Sequence, residues 1–177
     1  MKKFIFIIFL FLICGKLHPQ NELVKFAESY LFVREITQNR STEIDSFNQA
    51  VGVKLGSPYC ASFNSWIFNH NFYENPNSAR SSDWSLTKDQ IWKAKKNNTR
   101  KIEPGDVVTF YYSNLGRVGH TGIIYQVIEN DDYVITIEAN TGGGGINREG
   151  DGVYKKKRSL DKIYAITRYY KKSEINK

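Results

Sequence analysis

The chain has two cysteines, and the residues around Cys60 are of types that could activate a thiol. A helix is predicted from about Cys60 to His70, after the turn residues Ser57 and Pro58. Its apolar residues recur at helical spacing, at Phe63, Trp66 and Ile67. A thiol in the first turn faces the positive end of the helix dipole, which favours the thiolate, and N–H groups there can stabilise an oxyanion. The placement fits a nucleophile or a buried inert cysteine about equally well.

A thiol nucleophile needs a base, and the chain has three histidines. His18 lies beside the apolar N-terminal segment, and His70 stands among asparagines, where we expect a surface residue. His120 opens a predicted strand between Gly119 and Thr121, whose small side chains leave the imidazole room to reach a neighbouring element. His120 is therefore the candidate base.

Two polar residues, Glu138 and Asn140, end the next predicted strand. Because they are two positions apart, they are expected on the same face of that strand. A hairpin turn at Asn130–Asp132 would join the two strands, and antiparallel pairing would then bring His120 close to these residues. A carboxylate or an amide there can hold the imidazole in one tautomer, as the third member of a triad does. We expect Glu138 in this role and keep Asn140 as the alternative.

The first twenty residues are typical of a secretory signal peptide. Lys2 and Lys3 precede an unbroken apolar run, Phe4–Ile13, which is too short to cross a hydrocarbon core of roughly 30 Å. Cys14 follows an isoleucine rather than the small residue that usually precedes a lipidated cysteine, which disfavours a lipid anchor. We expect a secreted or periplasmic protein without a stable membrane span, with the cleavage point left open. Cys60 would then have no intrachain disulfide partner, so its thiol must be either buried or functional.

The chain is mildly basic. Removal of residues 1–20 takes three lysines from the 25 basic residues and leaves 22 against 18 acidic ones, a net charge of about +4. Such a charge suits an anionic cell wall or membrane surface without proving one. The densest basic run, Lys155–Arg158, is expected to be a solvated loop or strand edge. Nucleic acid is not an expected partner, because no aromatic-basic motif or recognition helix is present.

The order of the elements predicts an α+β fold, with a single domain over residues 22–172. Helices are expected first, over residues 22–36, from residue 41 onwards and over residues 60–70. Residues 71–86 are predicted as a loop. Strands are expected over residues 106–112, 120–128 and 133–140, and more weakly near 152–156 and 163–169.

Three further patterns have local interpretations. Thr87 and Gln90 form a capping-box pattern that predicts a short helix through Ile91 and Trp92. The glycine run at residues 142–145 lacks the lysine and helix start of a phosphate loop, so a flexible loop beside a cleft is expected. Core packing rather than a glycan groove is the expected role of three aromatic residues, Trp84, Trp92 and Tyr112.

Several segments, taken in order, resemble one known family. The segment Ser57–Trp66 is similar to its nucleophile segment, Gly119–Ile123 to its histidine strand and Ile137–Thr141 to the Glu-x-Asn end of the following strand. Further similarities lie in residues 34–45, 104–108, 152–154 and 158. The family is that of the CHAP-type amidohydrolase/peptidases, which depend on cysteine and histidine. The resemblance extends over most of residues 23–170.

The resemblance implies a papain-like α+β fold, with N-terminal helices packed against an antiparallel sheet. It implies that Cys60 is the nucleophile, that His120 is the general base and later the acid, and that Glu138 orients the imidazole. Asn140 is a further candidate for an orienting or oxyanion contact.

Substrate contacts are expected from Tyr59, which stands where the family often has tryptophan, and from Gly119. Some members bind calcium through an aspartate-rich loop, but residues 39–45 lack alternating carboxylates, so no metal is expected. No cofactor is expected either.

The function that the resemblance implies is hydrolysis of peptidoglycan by a monomer, as an N-acetylmuramoyl-L-alanine amidase or an endopeptidase, through an acyl-enzyme. Two alternatives use the same sequence differently. One is a cell-wall-binding module with a vestigial site, and the other is a secreted cysteine hydrolase of another amide substrate.

Overall fold

The computed structural model describes residues 19–85, 90–94, 96, 100–128, 132–142 and 150–169. Some expectations lie outside these ranges: the signal peptide with Cys14 and His18, Thr87 of the capping box, most of the turn at Asn130–Asp132, and residues 143–145 of the glycine run. Within the described ranges three α-helices precede a six-stranded antiparallel sheet, which confirms the α+β class. No helix in these ranges combines the length and hydropathy of a membrane span.

The helices are α1 (Pro19–Glu28), α2 (Thr42–Ala50) and α3 (Cys60–His70). α2 begins where the sequence predicts, because the Ser41 hydroxyl caps it by accepting a hydrogen bond from the Ile44 N–H at 3.3 Å. α3 has the predicted bounds, and Cys60 is its first residue. The preceding residue, Tyr59, makes no side-chain cap, so the first-turn N–H groups are left to other acceptors.

α1 was expected to extend to Ile36, but it ends at Glu28. The Ser29 hydroxyl donates to the Phe26 carbonyl at 2.7 Å, a local bond that competes with the helical backbone pattern. Residues 29–32 continue as turns, and Arg34 then forms an antiparallel β-bridge with Gly152. Pairing with this distant segment overrides the helical periodicity of residues 29–36.

The sheet has the strand order β1-β6-β2-β3-β4-β5, and every neighbouring pair is antiparallel. The strands are β1 (Gln90–Lys93), β2 (Val107–Tyr112), β3 (Arg117–Val127), β4 (Tyr133–Thr141), β5 (Gly152–Ser159) and β6 (Ala165–Thr167). Strands β2 to β6 fall on the five segments predicted as strands. The pairing of β3 with β4 places the strand of His120 beside that of Glu138, as the hairpin prediction requires.

β1 corrects the short helix that was expected through Ile91 and Trp92. Trp92 pairs with Ile166 of β6, and the Ile91 side chain is buried against the sheet. A capping-box pattern is a short local signal, whereas isoleucine and tryptophan both favour strands when a sheet can bury them. The long-range pairing with β6 therefore decides the structure of this segment.

Apolar side chains pack on both faces of the sheet. The helix-side cluster includes Phe47, Phe63 and Phe68 from the helices and Ile123 and Ile137 from the strands. The outer cluster includes Val108, Phe110, Ile124, Val134 and Ile166. Trp84 is fully buried in the helix-side cluster, and Trp92 and Tyr112 pack against the outer one, so all three have the core packing that was expected.

Candidate active site

The thiol of Cys60 lies at the start of α3, where that helix meets the sheet. The side chain is buried, with 6 % of its surface exposed. Its polar neighbours are the Ser81 hydroxyl at 3.4 Å, the backbone N–H of Ala61 and the imidazole of His120. A thiol in this position has three donors that can stabilise a thiolate.

The imidazole of His120 joins the thiol to a carboxylate. Its Nε2 donates to the Glu138 Oε2 at 2.8 Å, and the ring also lies close enough to the Cys60 thiol for the two groups to shift each other's pKa. With Nε2 on the carboxylate, Nδ1 is the ring nitrogen left to act on the sulfur. The structure thus brings together the three residues that the sequence singled out as nucleophile, base and orienting group.

A glycine allows the carboxylate to reach the imidazole. Ile123 of β3 pairs with Ile137 of β4, and the next positions along these strands are Gly122 and Glu138. A Cβ on Gly122 would lie 2.5 Å from the Glu138 Cγ, a distance that real Cβ contacts do not reach. The Glu138 side chain therefore passes over Gly122 toward His120, which shares a face of β3 with that glycine.

Glu138 is fully buried and accepts hydrogen bonds from two further side chains. Arg158 of β5 donates from Nε to Oε1 at 2.7 Å and from Nη2 to Oε2, and the Thr136 hydroxyl donates to Oε1 at 2.6 Å. The Phe110 ring lies under both cations, 5.0 Å from the Arg158 guanidinium and 5.7 Å from the imidazole. A two-pronged guanidinium contact fixes the plane of the carboxylate as well as its charge.

The ionisation of these groups follows from their neighbours. Burial disfavours the Glu138 carboxylate, but the hydrogen bonds and charges of Arg158 and His120 lower its pKa to about 2. Burial also disfavours the imidazolium, yet its bonds to Cys60 and Glu138 raise the pKa of His120 to about 10. The pKa of Cys60 is lowered, because His120, Ser81 and the Ala61 N–H together outweigh burial. The resting site therefore favours a thiolate beside an imidazolium.

Asn140 lies at an irregular position of β4, and the expectation that it shares a face with Glu138 stays a prediction. Its φ is +56°, and the pairing of β4 with β5 is irregular between Ala139 and Thr141. This irregularity interrupts the alternation on which the expectation rested. Among the described residues, the buried Asn140 Oδ1 has no hydrogen-bond partner, and the backbone of Asn140 contacts the Tyr59 hydroxyl.

The two expected substrate contacts have different surroundings. The Tyr59 side chain is fully buried and its hydroxyl donates to the Glu35 carboxylate at 3.1 Å. A substrate contact from Tyr59 stays a prediction. Burial and the neighbouring Glu35 charge raise the pKa of the Tyr59 hydroxyl. Gly119 is partly exposed, and a Cβ on it would lie 2.5 Å from the Tyr112 ring. Its lack of a side chain therefore serves the packing of Tyr112.

The sequence reasoning assigned no site role to Arg158 or Ser81. Arg158 belongs to the run expected to be a solvated edge, but β5 alternates, with Lys155 and Lys157 exposed and Arg158 half-buried. Successive side chains of a strand point to opposite faces, so the sequence could have indicated that Arg158 lies on the face opposite to Lys155 and Lys157. Ser81 lies in a serine-rich segment predicted as a loop, where no pattern distinguishes it. His70 is exposed, as expected for a surface residue.

The described residues contain no group of three or more His, Cys, Asp or Glu side chains arranged to hold a metal ion.

The comparisons with known proteins agree with this geometry. The family model described as CHAP domain matches residues 52–140, which is half of the chain and includes Cys60, His120 and Glu138. Arg158 lies beyond the matched residues. Neither the curated proteins nor the solved structures gave a significant match. The chain belongs to the CHAP family, whose members are in general cysteine- and histidine-dependent amidohydrolases or peptidases.

Proposed function

We propose that this protein hydrolyses amide bonds of peptidoglycan, as an N-acetylmuramoyl-L-alanine amidase or an endopeptidase, with Cys60 as nucleophile. The observation that carries the proposal is the imidazole of His120, which donates to the Glu138 carboxylate at 2.8 Å and lies beside the Cys60 thiol, whose pKa it lowers. Membership of a family of amide hydrolases supports the reaction class, and peptidoglycan is the substrate class associated with that family.

The first half of the reaction forms an acyl-enzyme. The Cys60 thiolate attacks the carbonyl carbon, and the first-turn N–H groups of α3 face the negative charge that develops on the carbonyl oxygen. The imidazolium of His120 then gives its proton to the leaving nitrogen, the C–N bond breaks and an amine departs. A thioester on Cys60 and a neutral imidazole remain.

The second half releases the acid. The neutral imidazole of His120 takes a proton from a water molecule, whose oxygen attacks the thioester carbonyl. The C–S bond breaks, the carboxylic acid leaves, and the thiolate and imidazolium are restored. Glu138 stabilises the imidazolium and holds its Nε2–H, so that Nδ1 faces the reacting sulfur in both halves.

The substrate determines where the protein must act. Peptidoglycan lies outside the cytoplasmic membrane, so we propose that residues 1–20 direct export and that a monomeric catalytic domain spans residues 22–172. The mildly basic mature chain suits an anionic wall surface.

Digestion of purified peptidoglycan tests the proposal, with the Cys60→Ala variant as control. The wild type should release soluble muropeptides, and Cys60→Ala should release none above background while keeping the melting temperature within a few degrees. Mass spectrometry of the products identifies the bond, because an amidase leaves a free amine on L-alanine and an endopeptidase leaves one elsewhere in the peptide.

Three outcomes would contradict the proposal. Undiminished release by Cys60→Ala would exclude Cys60 as nucleophile. Cosedimentation with sacculi, with no new amine or reducing end, would identify a binding module. Cleavage of casein without cleavage of peptidoglycan would assign the same residues to another amide substrate.

A further inference from the structure

The Cys60 sulfur has a second side-chain neighbour, on an element that the mechanism above does not use. The Ser81 hydroxyl lies 3.4 Å from the Cys60 Sγ, and both side chains are buried. Ser81 begins a 3-10 turn, Ser81–Ser85, which packs against β2 and β3. The sulfur is therefore contacted from two elements, by His120 of β3 and by Ser81 of this turn.

The segment that carries Ser81 is fixed by its own hydrogen bonds. The Ser78 N–H donates to the Ser65 hydroxyl of α3 at 3.0 Å, and that hydroxyl donates back to the Ser78 carbonyl at 3.2 Å. The Ser78 hydroxyl donates to Asp83 at 2.6 Å, and the buried Trp84 indole donates to the Ser78 carbonyl at 3.3 Å. Because the segment is tied to the same helix that carries Cys60, the Ser81 hydroxyl is positioned before any substrate binds.

The chemistry of the contact depends on the charge of the sulfur. A hydroxyl can donate or accept, but beside a thiolate it can only donate. A donor at this place offsets part of the cost of burying the anion, in the same direction as His120. Unlike His120, the hydroxyl is neutral, so it can keep this contact in every protonation state of the imidazole.

We propose that Ser81 is a further catalytic residue, whose hydroxyl donates a hydrogen bond to the Cys60 thiolate and holds the sulfur in position for attack. The inference rests on the proposed role of Cys60 as nucleophile. It assigns to the Ser81–Ser85 turn a share in activating the thiol, in addition to the imidazole.

Other charged groups near the sulfur are accounted for. The elements packed around Cys60 carry His120, with Glu138 and Arg158 behind it, and Asp83. The Asp83 carboxylate accepts from the Ser78 and Ser82 hydroxyls, at 2.6 and 3.3 Å. Removal of the Ser81 hydroxyl leaves all of these groups in place, so its effect on the thiol can be measured separately.

The test measures the rate of Cys60 alkylation by iodoacetamide as a function of pH. The thiolate displaces iodide, so the rate follows the thiolate fraction. In Ser81→Ala the midpoint of the rate profile should move to higher pH, with alkylation roughly tenfold slower on the acidic side and equal to wild type on the alkaline side. Ser81→Gly removes the same hydroxyl and should give the same shift.

Ser85→Ala is the matched control, because Ser85 is a buried serine of the same turn whose hydroxyl donates to the Ser82 carbonyl at 2.8 Å. Its alkylation midpoint should equal that of the wild type. A Ser81→Ala or Ser81→Gly variant that melts like Ser85→Ala and keeps the wild-type midpoint would overturn the inference.

Alkylation requires no peptidoglycan, so the inference and the proposed function fail separately. If the midpoint shifts in Ser81→Ala but the wild type releases no muropeptides, the proposed role of Ser81 stands and peptidoglycan is not the substrate. Muropeptide release by the wild type, with an unchanged midpoint in Ser81→Ala, would reject the role of Ser81 and retain the function.

Discussion

At the scale of single residues, the site depends on a buried carboxylate that has more than one cationic neighbour. Glu138 accepts from His120, Arg158 and Thr136, and its side chain has no exposed surface. A carboxylate in such surroundings remains ionised because cations compensate the loss of water. Removal of either cationic partner, His120 or Arg158, therefore changes the charge balance of the whole group.

Replacement of Glu138 should show whether it or Asn140 orients the imidazole. Glu138→Gln keeps the shape of the side chain but removes the charge that raises the pKa of His120. The alkaline limb of the activity profile should then move to lower pH, and kcat/KM should fall by about 10²- to 10⁴-fold. Activity on a soluble muropeptide, measured across the pH range, tests this.

Asn140→Gly is the companion variant, because glycine accepts the positive φ of this position. Asn140 does not contact the imidazole among the described contacts, so its loss should leave the alkaline limb in place. The assignment of Glu138 would be wrong if Asn140→Gly moved that limb and Glu138→Gln did not.

Arg158 should matter for both activity and stability. Arg158→Gln leaves the buried Glu138 carboxylate with one cation instead of two, which should lower the free energy of unfolding by about 2–3 kcal/mol and lower kcat. Urea denaturation at neutral pH measures the loss. Lys157→Gln changes an exposed neighbour in the same strand and should alter stability by less than about 0.5 kcal/mol. If both substitutions lowered the free energy of unfolding equally, Arg158 would have no particular role in compensating the buried Glu138 charge.

At the scale of elements, the site is assembled where α3, β3 and β4 meet, and the close approach of β3 to β4 sets its geometry. Asn64 of α3 donates to the Thr121 hydroxyl of β3 at 3.1 Å, and both side chains are fully buried. This bond ties the helix of Cys60 to the strand of His120, one residue from the imidazole. Gly122, in the same strand, provides the space for Glu138.

Gly122→Ala should therefore disrupt the site from within the sheet. The new Cβ would meet the Glu138 Cγ at 2.5 Å and the Ile137 carbonyl at 3.0 Å, so either Glu138 or the strand must move. We expect a loss of about 1–3 kcal/mol in the free energy of unfolding and a greatly reduced kcat. Thermal melting and muropeptide release measure the two effects. Wild-type values of both would show that Glu138 does not depend on this glycine.

At the scale of the whole molecule, the buried charges couple stability to pH from both sides. The pKa of Glu138 is lowered from 4.5 to about 2, so its contribution is complete above pH 4.5 and is lost as pH falls toward 2. The pKa of His120 is raised from 6.5 to about 10, so its contribution is complete below pH 6.5 and is lost as pH rises toward 10. Both contributions are complete together only between about pH 4.5 and 6.5.

Cys60 opposes the His120 contribution above pH 6.5, because the lowered pKa of its thiol adds stability that becomes complete only above pH 9.0. The free energy of unfolding should therefore decline below pH 4.5, where Glu138 is protonated, and between about pH 9 and 10, where His120 loses its proton and Cys60 adds nothing further. Urea denaturation at a series of pH values measures the profile. Glu138→Gln should flatten the acid limb, and His120→Gln should flatten the alkaline limb. If neither substitution altered the dependence of the free energy of unfolding on pH, that dependence would have to come from other groups.

The sequence alone was sufficient to predict the α+β class, the start of α2, the bounds of α3 and the pairing of the strands that carry His120 and Glu138. These features depend on local periodicity, on capping chemistry and on a short hairpin, all of which are encoded within a few residues of one another. The candidate base and carboxylate were identifiable from their positions on neighbouring strands, whereas the choice of Cys60 as nucleophile over a buried inert cysteine depended on the family resemblance.

Only the tertiary structure decided the remaining features. α1 ends early because Arg34 pairs with Gly152, and β1 replaces a predicted helix because Trp92 and Lys93 pair with β6. The contacts of Arg158 with Glu138 and of Ser81 with Cys60 join residues that are 20 and 21 positions apart. No periodicity within a segment encodes such contacts, because they exist only after strands and turns from different parts of the chain pack together.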